Sequence, residues 1–255
     1  MSKKFDELVK IMEILRSEKG CPWDRVQTHD TLKRYLLEET YELIEAIENK
    51  EPESIKEELG DLLLQIVFHS QIAKEECNFD VEDVIQTIIQ KMIGRHPHVF
   101  GEAEFKTPEE VLNQWDDRKR EEGKLHESIL DGVPKALPAL LKAYKIQSRV
   151  AKVGFDWDNI GGVIDKIKEE LGEVEEAINS GEKDKIEEEI GDLLFSIVNL
   201  ARFLKIDPET ALRKTNRKFE KRFRKLENLA KNKGKTLKDM TLKEMDNLWD
   251  EIKNS

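Results

Sequence analysis

Residues 36–67 are written a second time at 167–198. With a constant offset of 131 and no gap, 16 of the 32 positions are identical, among them Glu38, Glu39, Glu42, Glu57, Glu58, Gly60 and Asp61. Two Glu-rich amphipathic stretches can resemble one another by composition, but composition does not hold register across the connections at 49–54 and 180–185. The chain therefore reads as a duplication. A Trp-Asp pair precedes each copy, in "CPWDR" at 21–25 and "VGFDWDN" at 153–159, here at an offset of 134. Two domains are expected, 1–125 and 126–255, with the charged, proline-bearing stretch 101–140 running between the copies.

Helical periodicity runs through both copies, and alternating strand patterns bounded by turn residues are scarce. The expected fold is all-α: two tandem domains related by duplication, each a bundle based on a helical hairpin. On a helix over 163–178, Val163, Ile167, Leu171, Val174 and Ile178 fall within an arc of about 80°. Glu170 falls inside the apolar arc, Glu173 borders it, Lys166 stands between them and Glu169 lies farther round. A helix over 185–204 repeats the arrangement, with Glu189, Asp192 and Lys185 beside a stripe of Ile190, Leu193, Leu194 and Ile197. The short "NSGEKD" connection at 179–184 folds the two back as an antiparallel hairpin whose apolar stripes meet. Near the end of the chain, "TLKEM" at 241–245 offers a Thr-x-x-Glu capping box.

The hairpin brings four carboxylates toward one spot: Glu170, Glu173, Glu189 and Asp192, and in the first copy Glu39, Glu42, Glu58 and Asp61. A merely solvated acidic face would show Glu–Lys pairs at i,i+4. Lys185 with Glu189 fits that pattern, whereas Glu169 with Glu173 is a like-charge pair. Unpaired acids against a packing seam are unfavourable unless a cation joins them. Hard carboxylate oxygens, with no His or Cys among them, favour Mg²⁺, with Mn²⁺ as a substitute. Di-iron chemistry would want Glu-x-x-His, and none of His29, His69, His96, His98 and His126 has a Glu three positions before it. Mg²⁺ held by a few carboxylates leaves room for substrate phosphates, which points to phosphoanhydride or phosphate-ester chemistry.

The charge balance agrees. A net charge of −11 repels a nucleic-acid polymer but not a phosphate bridged by a metal ion. Charged residues make up 38%, against a usual ~25%, so apolar burial must be confined to stripes. Cys21 and Cys77 show no metal-ligand spacing and are too few for a disulfide scaffold. The first residues read as an amphipathic helix rather than a leader, and no apolar run approaches a membrane span. A soluble, cytoplasmic protein is expected. His96 and His98 in "RHPHVFG" read as a turn with hydrogen-bonded imidazoles rather than as metal ligands.

At this point the residues resemble a known signature. "EELGE" at 169–173 followed by "EEIGD" at 188–192 is similar to the EExxE…ExxD metal motif of the MazG family of all-α nucleoside triphosphate pyrophosphohydrolases. The first copy is similar through "EETYE" at 38–42 and "EELGD" at 57–61. The flanks "GCPWDR" at 20–25, "RHPHVFG" at 95–101, "VGFDW" at 153–157 and "NRKFEKRF" at 216–223 extend the resemblance over essentially the whole chain. It implies Mg²⁺-dependent cleavage of the α–β anhydride of NTPs and dNTPs to a monophosphate and pyrophosphate, a homodimer, and a role in cleaning nucleotide pools. It implies Glu170, Glu173, Glu189 and Asp192 as metal ligands, and nucleotide contacts at Lys166, Lys185, Glu188, Lys218, Arg222 and Trp249. Catalytic roles then fall on Glu169, Glu170 and Lys185, with Glu169, Glu170 and a metal-bound hydroxide all open as the base. Trp157 or Trp249 is placed to stack on a base, although either aromatic also serves as ordinary packing. A regulatory module that binds metal and nucleotide without turnover is the alternative.

The copies are not equal. Lys185 aligns with Ser54 and Lys166 with Tyr35, and a looser alignment sets Arg95 against Lys218 and Val99 against Arg222. The first copy is thus expected to keep the acids and lose the phosphate contacts, which makes the second the expected active site and Glu39, Glu42, Glu58 and Asp61 a less certain one.

Overall fold

A computed structural model of the chain describes residues 3–103, 107, 110–111 and 128–253. The chain divides into two compact units, Met1–Lys124 and Leu125–Ser255. The expected division at 125/126, much of the connecting stretch 101–140, and His126 lie outside the described residues. Among the described residues there is no strand; the fold is all-α, as its periodicity predicts.

The first unit holds α1 (Lys3–Arg16), the short α2 (Pro22–Arg25), α3 (His29–Asn49), α4 (Pro52–Glu75), α5 (Val81–Arg95) and the one-turn α6 (Pro97–Phe100). Helices α3 and α4 form the hairpin, and α1 packs across α4. Met12, Leu32, Val67, Phe68 and Ile72 form the core between them, with Phe5, Leu8, Val9, Tyr35 and Leu64 against it. His29 and His69 close the open end of the hairpin, their Nδ1 atoms 2.7 Å apart and their rings stacked.

The second unit holds α7 (Ala139–Ala151), α8 (Ile160–Ser180), α9 (Lys183–Phe203), α10 (Pro208–Asn232), a 3₁₀ turn (Leu237–Asp239) and α11 (Leu242–Lys253). Helices α8 and α9 form the second hairpin, and α7 packs on α9. There the buried Gln147 donates to the Phe195 carbonyl at 2.8 Å. Leu226, Ala230, Leu248 and Ile252 make a separate core between α10 and α11. The expected capping box starts α11: the Thr241 N–H donates to Glu244 at 2.8 Å, and the Glu244 N–H donates to Thr241 Oγ1 at 3.3 Å.

The duplication is visible in the helix caps. Thr28 caps α3 and Asn159 caps α8, and the two positions are 131 apart. Lys50 and Gly181, again in register, end α3 and α8 in the left-handed conformation, with φ of 59° and 74°. These signals fix where each hairpin begins and turns.

The apolar stripes meet only in part. Val163, Val174, Ala177 and Val198 are buried in the α8/α9 seam, each buried valine stabilising by about 1.5 kcal/mol or more. Ile178, Ile190, Leu194 and Ile197 stay exposed, and so do their partners in register, Ile47, Leu59, Leu63 and Ile66. A helix whose apolar arc is wider than its hairpin partner can cover leaves the excess at the surface.

Candidate functional site

Packing α8 against α9 brings Glu170, Glu173 and Glu189 together, so that one oxygen of each lies within 4.8 Å of the others. Glu170 is 5% exposed, as its place in the apolar arc predicts, and Glu173 and Glu189 are half-buried. In the first unit Glu39, Glu58 and Asp61 gather within the same 4.8 Å, all three half-buried; Glu39 and Glu58 are in register with Glu170 and Glu189, whereas Asp61 takes the place that Glu173 fills in the second unit. The fourth acid of each expected set stands outside. Asp192 is exposed one turn along α9 from Glu189, and Glu42 is exposed on α3.

Crowded acids resist ionisation, and the carboxyls show it. Burial, reinforced by Glu170 and Glu189, raises Glu173 above the ordinary carboxylate range. Burial, then Asp61, Glu42 and Glu58, raises Glu39, and burial, then Glu42 and Asp61, raises Glu58. Each group is a concentration of negative charge that a cation relieves. Three converging carboxylate oxygens, with no nitrogen or sulfur donor in either group, fit a hard divalent ion such as Mg²⁺ or Mn²⁺.

Lys166 stands against the second group. Its Nζ donates to Glu169 at 2.7 Å and lies 2.8 Å from Glu170, and these bonds hold it above the usual lysine range. The pair expected between Lys185 and Glu189 does not form; among the described residues Lys185 is exposed without a carboxylate partner. Glu189 instead gathers with Glu170 and Glu173. Glu169 and Glu188 are exposed.

The remaining expected contacts lie on α10 and α11. Lys218 and Arg222 line a cleft of about 430 Å³ together with Lys214, Arg217, Lys221 and Lys225, and no acid of the second group lines it. Trp249 is half-buried and packs against Phe219, ring centroids 5.2 Å apart, and against the α10/α11 core. Trp157 lies over Gly162, where an added Cβ would come within 2.6 Å of the indole, so glycine admits the ring at the start of α8. At the end of α5, His96 Nδ1 lies 2.7 Å from the Met92 carbonyl and carries the proton of that bond. Cys21 is half-buried and Cys77 exposed, and neither is in a disulfide.

The structure corrects the looser alignment of the two copies. Asp80 and Asp207 are the caps that open α5 and α10, and the offset of 127 between them carries Lys91 onto Lys218 and Arg95 onto Arg222. The first copy therefore has the same Lys-x-x-x-Arg spacing on its third long helix. The shorter α9 (21 residues, against 24 in α4) changes the offset after the hairpin, and only the caps reveal by how much.

Fold and site define a duplicated all-α protein in which each helical hairpin carries a cluster of acids. A sequence model described as the MazG nucleotide pyrophosphohydrolase domain matches residues 27–100 and again 162–226. The chain is 52% identical over 250 residues to the nucleoside triphosphate pyrophosphohydrolase/pyrophosphatase MazG of Thermotoga maritima, covering 98% of this chain and 95% of that protein. It is 46% identical over 255 residues to a nucleoside triphosphate pyrophosphohydrolase of Escherichia coli K12, covering 98% and 97%. A nucleoside triphosphate pyrophosphohydrolase of Mycobacterium tuberculosis is 41% identical over 154 residues, or 60% of this chain and 46% of that one. The chain belongs to the MazG family, in its tandem form.

Proposed function

We propose that the chain is a nucleoside triphosphate pyrophosphohydrolase that cleaves the α–β anhydride of NTPs and dNTPs with water, releasing a monophosphate and pyrophosphate and so clearing the cytoplasmic nucleotide pool. The observation that carries this reading is the buried Glu170 in a three-carboxylate group with Lys166 beside it, in a chain similar along its whole length to proteins named for that activity. Glu170, Glu173 and Glu189, with Asp192 one turn away, would hold Mg²⁺. When bound, the ion supplies charge neutralisation at the phosphates. Lys166 and Lys185 bind phosphate oxygens, and Lys218 and Arg222, at i,i+4 on α10, offset charge on the departing pyrophosphate. Glu188 contacts the nucleotide, and Trp249 or the half-exposed Trp157 offers a face to the base. Glu169, at solvent beside the group rather than inside it, takes the proton of the attacking water.

The working form in this reading is a homodimer, because both hairpins leave the same apolar positions uncovered. No helix among the described residues is long and apolar enough to cross a membrane.

Product analysis tests the reaction. The chain is incubated with a mixed NTP and dNTP pool and Mg²⁺, and the mixture is chromatographed. Monophosphate with pyrophosphate and no diphosphate is the expected result. Diphosphate with orthophosphate would place the cut at the γ-phosphate and overturn the reading. Bound nucleotide without turnover would make the chain a regulatory module.

A further inference from the structure

The two carboxylate groups differ in one respect that bears on how they load. In the second, Lys166 Nζ is already seated among the acids, 2.7 Å from Glu169 and 2.8 Å from Glu170, whose side chain is 6% exposed. In the first, the aligned residue is Tyr35, which is uncharged. The neighbouring Arg34 turns outward to Glu38 at 3.6 Å and lies over the Tyr35 ring, 4.8 Å from its centroid. One chain thus contains the pair in register, Glu39 with Glu58 and Glu170 with Glu189, without and with an internal cation beside it.

We infer that Lys166 is a built-in counter-cation of the second group, which must leave Glu170 before a divalent ion is fully seated, so that metal and nucleotide load together. The inference rests on the reading of this group as a metal and triphosphate site. A buried carboxylate without a partner is strongly unfavourable, and Lys166 supplies a partner to Glu170. Two cations on one buried carboxylate repel each other in a low-dielectric setting, so a metal ion entering alone must displace the ammonium into water. Lysine is suited to the exchange: its charge sits on a flexible four-carbon stem, and the side chain is 34% exposed with room to swing. The triphosphate offers it a second partner, because the oxygens that approach the ion also accept bonds from Nζ. Nucleotide therefore raises metal affinity and, by linkage, metal raises nucleotide affinity by the same factor. The first group has no such device and gains no coupling from Tyr35.

Free Mn²⁺, followed by its paramagnetic resonance signal, reports binding independently of turnover. The full chain is titrated with and without the α,β-methylene analogue of ATP, in a Glu58→Gln background that weakens the first group. Lys166→Met is expected to bind Mn²⁺ about tenfold or more tighter than its parent when nucleotide is absent, within the usual range of coupling between sites. Lys166→Arg is expected to stay at the parent's affinity. Nucleotide should tighten Mn²⁺ in the parent by a similar factor and far less in Lys166→Met. Lys166→Gln replaces the Met variant should that one melt early. Equal Mn²⁺ affinity in Lys166→Met and parent, or equal tightening by nucleotide in both, would overturn the inference while leaving the metal site in place. If Glu189→Gln loses no Mn²⁺ even with nucleotide present, the metal reading itself falls, and this inference with it.

Discussion

Lys50 and Gly181 occupy the same place in the two copies, the left-handed residue that ends the first helix of each hairpin. A side chain with a Cβ costs about 1–2 kcal/mol there, and glycine returns part of that by its freedom in the unfolded chain. Lys50→Gly is therefore expected to stabilise the first unit by roughly 0.5–1 kcal/mol, and Gly181→Ala to destabilise the second by a similar amount, both read by urea unfolding. The acids carry a second test. Glu189→Ala removes a member of the group that has Lys166 beside it, and kcat/KM should fall about a hundredfold or more. Glu58→Ala, in the group without that lysine, should change it by only a few fold; the reverse order of effects would move the active site to the first copy. The placement of Glu170 was legible in the sequence, because a glutamate inside an apolar arc has nowhere to go but the seam. The grip of Lys166 on it was not, since helical spacing allows Lys166–Glu170 and Lys185–Glu189 equally, and only the packing of α8 on α9 gathers Glu189 with Glu170 and Glu173.

At the level of elements, each hairpin is tied to the segment that precedes it by an arginine–carboxylate fork, built with opposite polarity in the two copies. In the first, Arg16 on α1 bonds both oxygens of Glu75 at the end of α4, at 2.7–3.1 Å, and also the carbonyls of Asp24 and Gln27. In the second, Arg202 at the end of α9 bonds both oxygens of Asp156 in the loop before α8, one at 3.0 Å. Bonds from Arg16, opposed by burial and helped by Gln71, hold Glu75 below the ordinary glutamate range. Asp156 is raised by burial, but Arg202 and the Trp157 N–H outweigh it and the net direction is also down. A carboxyl lowered in the folded state adds stability above its unfolded value, near 4, and loses it as pH falls through the lower folded value. The stability gap between the native chain and Glu75→Gln should accordingly be present at pH 7 and close below about pH 4, in thermal melts across that window. Glu75 is 37% exposed, so solvent screens the fork and the gap should be about 1 kcal/mol or less. A gap independent of pH would mean that packing, not charge, ties α1 to α4. The forks could not be read from sequence, because their partners are 59 and 46 residues apart with no periodicity to join them. The hairpins could, since caps, turn and stripe all lie within one stretch of chain. The match of α5 to α10 lay between these cases: "KMIGR" and "KFEKR" share only their Lys and Arg, and the changed length of the preceding helix hides the register.

At the level of the whole molecule, the repeat that fixes the fold also bears on assembly. Leu59, Leu63 and Ile66 on α4 align with Ile190, Leu194 and Ile197 on α9, and all six are exposed. The spacing i, i+4, i+7 puts each trio on one helix face, and Ile47 and Ile178 lie exposed on the adjoining helices. Single exposed apolar residues are ordinary; two matched stripes in a chain with 38% charged residues are not. A second copy of the chain supplies the simplest complementary surface, because a two-fold axis sets a stripe against itself without demanding a new one. A glutamate at the centre of such a stripe would be buried without a partner, and the penalty of several kcal/mol is large against a typical dimerisation free energy. Leu194→Glu is therefore expected to turn a dimer into a monomer at micromolar concentration, measured by light scattering coupled to size exclusion. Its circular dichroism should stay native, because Leu194 is 50% exposed within the chain and adds little to its own unit. Glu176→Lys, on the polar face of α8, should leave the dimer intact and serves as the matched control. A native chain that is monomeric at those concentrations, or a Leu194→Glu variant with the mass of the native one, would sever the apolar stripes from self-association and leave them to another partner.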